Sequence, residues 1–227
     1  MKRTLMLGAA AICALLFYYT LQMVFYGTPL ERNDSLYINQ KIFYYHVPQA
    51  FVLFISVIVC GVASLLYVRK REGRFDDVAR SAGELSVLFG AMMLISGSIW
   101  AKASWDYWWA WDFRLSSSLL LWLLMVGYVL VRRYGGMSSE RLAAGLAIFG
   151  AVNIPLVYFS VKVWETQHPK TSVVPGLAGD VRKTFWLSVG LFILVFIVLL
   201  ITRIGQVRAV RSLRETRELA LDAGVLD

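Results

Sequence analysis

Six stretches of the chain are long and apolar enough to cross a lipid bilayer, and this feature limits the fold more than any other. They are residues 5–26, 47–68, 81–100, 115–131, 142–161 and 185–201. A helix needs about 20 mostly apolar residues to span the hydrocarbon core, where only helices or closed barrels can pair all their backbone polar groups. The pattern therefore predicts an all-α, polytopic membrane protein with six transmembrane helices.

The amino-terminal run resembles a signal peptide at first, because it follows Lys2 and Arg3. The apolar core of a cleavable signal is about 7–15 residues long and ends at a small-residue cleavage site. The run over residues 5–26 is longer and has no such site after it. We therefore expect it to be an uncleaved first transmembrane helix.

The composition agrees with a membrane protein and argues against a nucleic-acid partner. Hydrophobic residues make up 58% of the 227 residues and charged residues only 17%, whereas soluble domains have about 25% charged residues. The net charge of +8 comes from Lys and Arg in the short gaps between apolar runs. No soluble segment carries a basic stripe with interleaved aromatic residues, so the charge points to membrane topology.

The distribution of Lys and Arg predicts the orientation. Fifteen of the 23 fall on the side that holds both termini, and eight fall on the other side. Positive charge accumulates on the cytoplasmic side of bacterial inner-membrane proteins, so both termini are expected there. The outer loops are then residues 27–46, 101–114 and 162–184. We expect one transmembrane domain over residues 1–201 and a cytoplasmic amphipathic tail over residues 202–227.

The chain has two histidines, and both fall near the outer face in this topology. Val47 and Pro48 follow His46, and proline suits the first turn of a helix. This predicts that His46 lies at the positive end of the second span, where the helix dipole favours the neutral, metal-binding imidazole. His168 lies in the last outer loop. The alternative is that such residues bond lipid headgroups or cap their own helix.

A tryptophan-rich segment, residues 100–114, contains five of the eight tryptophans of the chain. An interfacial aromatic belt accounts for one or two at each helix end, but not for five in one outer loop. If the segment is helical, Trp105, Trp108 and Trp111 share a face and form a platform along the membrane surface. Such a platform can stack on a large planar apolar ligand.

Together these features predict a haem site at the outer face. His46 and His168 can serve as the two axial ligands of the iron, and the tryptophans can enclose the ring. Cys13 and Cys60 lie inside apolar runs and form no C-x-x-C pair, so covalent haem attachment to this chain is not expected. Cations on the outer side can meet the haem propionates. These cations are Lys102, Arg114, Arg182 and Lys183.

Other classes of membrane protein remain open from the residues alone. A b-type electron carrier with two histidine ligands usually holds haem in mid-span, whereas both histidines here are at outer edges. A small-solute transporter usually has a pair of broken helices, and only Asn153-Ile154-Pro155 interrupts a span. An enzyme is not expected, because no nucleophile has a base beside it and no nucleotide-binding loop is present.

The segment from Trp105 to Asp112 resembles the W-G-x-x-W-x-W-D ("WWD") motif of haem-handling membrane proteins, with Asp106 in place of the glycine. Further stretches resemble one branch of that family, the haem exporter protein C (CcmC) of cytochrome c maturation. These are Tyr45-His46-Val47-Pro48, Arg114-Leu115-Ser116, Asn153-Ile154-Pro155, Phe159-Ser160-Val161, Trp164, Thr166 and His168. Val163, Gln167 and Pro169 depart from the pattern, and Asp106 affects the expected shape of the platform.

The resemblance implies a haem transfer or export component rather than an enzyme. Haem b would be held non-covalently and transiently at the periplasmic face of the inner membrane, then loaded onto a membrane-anchored periplasmic haem chaperone. An ATP-binding cassette complex and a small one-helix subunit would act beside it. The implied iron ligands are His46 and His168. The resemblance also implies that the WWD loop binds haem. With the tryptophans and cations named above, the other predicted haem-binding residues are Lys102, Trp105, Trp108, Trp109, Trp111, Asp112 and Arg114.

Overall fold

The computed structural model describes residues 2–30, 39–136, 139–169 and 173–225. Six of its helices are long and apolar enough to cross a membrane, which confirms the predicted all-α, six-span architecture. Within the described ranges no β-strand occurs. The helices are α1 (Lys2–Gln22, continued by a π-helical turn Met23–Gly27), α2 (Gln40–Lys70), α3 (Gly73–Trp105), α4 (Phe113–Tyr134), α5 (Ser139–Val163), α6 (Val173–Gly176) and α7 (Gly179–Asp222).

Helix α2 is the centre of the bundle. It packs against α3, α5 and α7, whereas α1 makes its main contacts with α7. One buried cluster joins α2, α3, α4 and α5 around Cys60, Met125 and Tyr128. A second cluster joins α2 and α3 to α7 through Phe89 and Phe192. The arrangement holds close together the ends of α2, α3 and α7 that the predicted topology places outside. These ends, called the outer ends below, form walls of the site described in the next section.

The outer end of α2 differs from the sequence prediction. The helix begins at Gln40, so His46 is its seventh residue and Pro48 lies inside it. The prediction that Pro48 lies in the first turn and His46 at the positive end of the helix was therefore wrong, and the helix dipole cannot be the reason for a neutral imidazole. The extra turns form because Tyr44 is fully buried, in a cluster with Val24 and Phe185. Burial of this aromatic side chain favours helix beyond the apolar run.

The outer end of α3 also differs. The helix continues to Trp105 and ends at Asp106, which adopts a left-handed conformation with φ of 63°. Residues 106–112 are not helical, so the predicted helical face of Trp105, Trp108 and Trp111 does not exist. Glycine adopts this conformation most readily, and Asp tolerates it better than most residues. This explains why a glycine at this motif position can be replaced by Asp.

The predicted tail is a continuation of the last span. Helix α7 has 44 residues, which gives a length of about 66 Å, roughly twice the thickness of the hydrocarbon core. Its carboxyl-terminal half pairs with the start of α3, where Arg211 Nη2 lies 2.9 Å from Asp77 Oδ2. Two cations counted in the predicted outer loops, Arg32 and Lys170, lie outside the described residues.

Candidate functional site: a cavity between two histidines

A cavity of about 1020 Å³ opens between the outer ends of α2, α3, α4 and α7. We call it the histidine cavity, because His46 and His168 both line it. Ligand pockets usually measure about 300–1,000 Å³, so this one can take a large ligand. Its wall is mainly apolar and aromatic. Of the residues predicted for the site, it includes His46, Trp105, Trp109, Arg114 and His168.

The fold brings the two histidines together from distant parts of the sequence. His46 comes from α2, and His168 comes from the irregular segment after α5. Their ring centroids are 6.5 Å apart, and their ring planes are inclined by 43°. Both rings thus line one cavity, and they do not stack directly on each other.

His168 is held as a neutral imidazole with a defined tautomer. Burial, and to a smaller extent the nearby positive charge of Arg114, lower its pKa to about 4. The carbonyl of Pro169 can only accept a hydrogen bond, and it lies 2.9 Å from Nδ1. Nδ1 is therefore the protonated nitrogen, and the lone pair lies on Nε2.

His46 has an equivalent arrangement inside α2. Its Nδ1 lies 3.0 Å from Ser96 Oγ. That hydroxyl lies 3.1 Å from the carbonyl of Met93 and 3.3 Å from Gln49 Oε1, both of which can accept its proton. Ser96 then accepts from Nδ1–H of His46, which again leaves the lone pair on Nε2. A side chain at Gly97 would approach His46 Cε1 to 2.9 Å, so a glycine is needed beside the ring.

The tryptophans of the segment divide into two groups. Trp105 and Trp109 line the cavity, and Trp109 Nε1 is buried without a hydrogen-bond partner among the described atoms. Trp108 and Trp111 do not line it and are 61% and 80% exposed. Trp100, which was not predicted, lines the cavity and packs edge-on against Trp105 at 4.8 Å.

Three of the four predicted cations are engaged with the protein itself. Lys183 pairs with Asp180 at 2.9 Å, and neither it nor Arg182 lines the cavity. Lys102 Nζ lies 2.6 Å from Asp106 Oδ1, and this contact lowers the pKa of the exposed Asp106 carboxyl. Arg114 lines the cavity, and its guanidinium donates to the carbonyl of Val157 on α5. Arg114 therefore has one side on the cavity and one side on the neighbouring helix, whereas Lys102 does not line the cavity.

Asp112 does not line the cavity, but it joins the two segments that form it. Its Oδ1 accepts from the backbone N–H of Leu115 at 2.8 Å and caps α4. Its Oδ2 accepts from the hydroxyl of Thr166 and from the N–H of Gln167. The Thr166 hydroxyl oxygen in turn accepts from the N–H of His168 at 3.1 Å. One carboxylate thus fixes the end of the tryptophan-rich segment and the backbone that carries His168.

Much of the apolar wall was not predicted from the sequence. Ala50 and Phe54 follow His46 at intervals of four residues and line the cavity on the same face of α2. This helical spacing was visible in the sequence and could have identified them. Helix α6 and Trp186 on α7 complete the wall. They come from a remote part of the chain, and no local pattern links them to His46.

Comparisons with known proteins agree with the resemblance. The family model of heme exporter protein C matches residues 1–221. Heme exporter protein C of Bradyrhizobium diazoefficiens is 32% identical over 164 residues, which cover 71% of this chain and 62% of the relative. The Escherichia coli K12 protein of that name is 30% identical over 158 residues, covering 63% and 62%. The one from Paracoccus denitrificans is 30% identical over 170 residues, covering 72% and 70%.

The matched region thus spans less than two thirds of the first two relatives. The family match nevertheless extends over almost the whole chain. The structure independently has six helices that are long and apolar enough to cross a membrane. This protein belongs to the heme exporter protein C family.

Proposed function

We propose that the protein holds haem in the histidine cavity and passes it to a membrane-anchored periplasmic haem chaperone during the maturation of c-type cytochromes. The relatives are named as haem exporters, which supports haem as the cargo. The observation that carries the proposal is the pair of His46 and His168 at one cavity, 6.5 Å apart between ring centroids, each with Nδ1 engaged and Nε2 left for the iron.

The spacing of the two rings suits one metal between them. An imidazole nitrogen lies about 2 Å from a bound transition metal, so its ring centroid lies about 3 Å away. Two imidazoles on opposite faces of one metal then have centroids about 6 Å apart, close to the 6.5 Å between His46 and His168. The engaged Nδ1 atoms orient both rings and increase their basicity as ligands.

The other residues of the cavity wall suit the macrocycle and the propionates of haem. Trp105 and Trp109 offer aromatic surface to a flat macrocycle. Arg114 can neutralise a propionate, and the unpartnered N–H of Trp109 can donate to an acceptor on the ligand. This set of two imidazoles, aromatic rings and one guanidinium supports haem b, bound non-covalently, as the ligand.

The location of the second proposed ligand, His168, supports transfer of haem rather than permanent storage. His168 lies in a segment without regular secondary structure, between α5 and α6. Such segments open at lower free-energy cost than the packed core of a helical bundle. Opening of this segment would remove one axial ligand and expose a haem edge to a partner. An electron carrier instead needs haem held permanently between helices.

Orientation can be tested by labelling. We expect an impermeant maleimide to react in intact spheroplasts with Lys183→Cys but not with Arg74→Cys, both in a background lacking Cys13 and Cys60. These two side chains are exposed, at 76% and 64%, and the distribution of Lys and Arg places the first outside and the second in the cytoplasm. Both should react after membrane disruption. Labelling of Arg74→Cys in intact cells would reverse the proposed topology.

Transfer can be tested by co-expression of this chain with the membrane-anchored chaperone. Haem bound to the purified chaperone should fall to background when the chain is omitted, and it should stay low with the His46→Ala, His168→Ala double variant. A chaperone that is fully loaded under either condition would contradict the transfer role. Haem that remains on this chain and is reduced by quinol, without reaching the chaperone, would favour the electron carrier. Haem that stays tightly bound to this chain, without loading of the chaperone and without reduction by quinol, would also contradict transfer.

A further inference from the structure

A second cavity lies at the opposite end of the bundle from the histidine cavity. It measures about 440 Å³ and is bounded by α3, α4 and α7. Five arginines line it together with a single acidic residue, Glu84. The arginines are Arg80, Arg132, Arg133, Arg203 and Arg214. The excess of positive charge makes this a site for an anion.

The charge of this cavity is only partly neutralised by the protein. Glu84 is held by the guanidinium of Arg203, whose Nη2 lies 3.1 Å from Oε1, and by Arg80 at 3.5 Å. Its carboxylate is thereby occupied. Neither Arg133 nor Arg214 makes an ion pair within the described ranges of the chain. Arg133 lies over the ring of Tyr134, 5.5 Å from its centroid, a contact that leaves its N–H donors unused. Two guanidinium groups at the cavity can therefore donate to a ligand.

Arg132 provides a second, independent indication of a ligand. Its side chain is only 10% exposed, and two of its nitrogens face Asp76 and Glu140. Its third nitrogen, Nε, is buried and has no hydrogen-bond partner among the described atoms. A buried unpaired N–H of a charged group is costly. An oxygen of a bound anion would satisfy it.

The position of the cavity along the helices identifies the source of the anion. Arg132 directly follows the apolar run of α4, and Arg203 follows that of α7 by two residues. Both side chains therefore lie where the hydrocarbon core meets the headgroup layer. Basic pockets between helices at this depth suit lipid phosphates on the cytoplasmic side. A site for a free anion would not need to lie at the boundary between the hydrocarbon core and the headgroups.

We propose that this cavity binds the phosphate group of an anionic membrane lipid, and that the lipid thereby joins α7 to α3 and α4. Arg132 and the unpaired Arg133 and Arg214 supply the donors. The bound lipid would stabilise the cytoplasmic end of the bundle without touching the histidine cavity. The proposal is independent of the haem function.

The test measures the thermal midpoint of the full chain in detergent with added dioleoyl phosphatidylglycerol, dioleoyl phosphatidylcholine or inorganic phosphate. At about ten times its dissociation constant, phosphatidylglycerol should raise the midpoint by about 3–6 °C, and phosphatidylcholine should raise it much less. The double variant Arg133→Gln, Arg214→Gln should weaken the apparent affinity for phosphatidylglycerol about tenfold or more.

The matched control is Arg69→Gln, Arg217→Gln, which removes the same charge from exposed cytoplasmic positions that do not line the cavity. It should keep the response of the unmodified chain, with unchanged helix content by circular dichroism in both variants. Equal shifts with the two lipids, or equal losses in the two double variants, would overturn the proposal. An equally large shift with inorganic phosphate would assign the cavity to a free anion and overturn the lipid assignment.

Discussion

Replacement of His168 or His46 by alanine is expected to remove most of the haem that co-purifies with this protein. Each change deletes one of the two proposed iron ligands. Loss of a residue that only orients a ligand typically costs about 10–100-fold in metal affinity, so deletion of the ligand itself should cost more than that. Absorbance of the detergent-purified protein should fall, and the remaining haem should show the spectrum of a single axial ligand.

Two further variants separate ligation from general damage to the fold. Free imidazole should restore part of the haem and of the original spectrum in each alanine variant, because the cavity left by the side chain admits it. His168→Met should retain haem with a shifted spectrum and reduction potential, since methionine can serve as an axial ligand. Unchanged spectra in both alanine variants would contradict the assignment of His46 and His168 as the axial pair.

The second large effect is expected at Asp112, which does not line the cavity. Asp112→Asn keeps an oxygen that can cap α4 through the N–H of Leu115. Its amide NH₂ cannot accept from the hydroxyl of Thr166 and the N–H of Gln167, as Oδ2 does now. The backbone that carries His168 should therefore loosen, and haem affinity should fall about 10–100-fold.

The controls for this prediction come from the same segments. Asp106→Asn changes an exposed carboxylate six residues earlier and should leave haem binding unchanged. Thr166→Val should reproduce the loss, because the methyl group cannot link Asp112 to the N–H of His168, whereas Thr166→Ser should retain binding. Imidazole should partly rescue Asp112→Asn if the defect is misplacement of His168. Normal haem affinity in Asp112→Asn would show that this carboxylate does not position the ligand.

The sequence alone was enough to propose the two histidines as ligands, but it was not enough to propose the positioning role of Asp112. The histidines could be proposed as a pair because the chain has only two and the topology places both near the outer face. The role of Asp112 could not be read in the same way. The motif resemblance implied a haem-binding role, which stays a prediction. The structure adds that the carboxylate accepts from the N–H groups of Leu115 and Gln167 and from the hydroxyl of Thr166. Those partners are set by how two distant segments meet.

For the tryptophan-rich segment too, the sequence predicted the kind of residue at the site but not which side chains line it. Its composition indicated an aromatic site, and Trp105 and Trp109 do line the cavity. Periodicity assigns a face only where the backbone is regular, and the left-handed turn at Asp106 ends the helix there. Trp108 and Trp111 are consequently exposed, while Trp100, five residues before Trp105 on α3, joins the wall.

The sequence alone determined that this chain is a six-span helical membrane protein, because bilayer thickness and the need to pair every backbone polar group leave few alternatives for six long apolar runs. It also predicted which residue types carry the chemistry. Only the tertiary structure decided the 6.5 Å approach of His46 to His168, the extension of α2 to Gln40 and the link through Asp112. Each depends on packing between segments far apart in the chain, where the burial of side chains such as Tyr44 outweighs local preference.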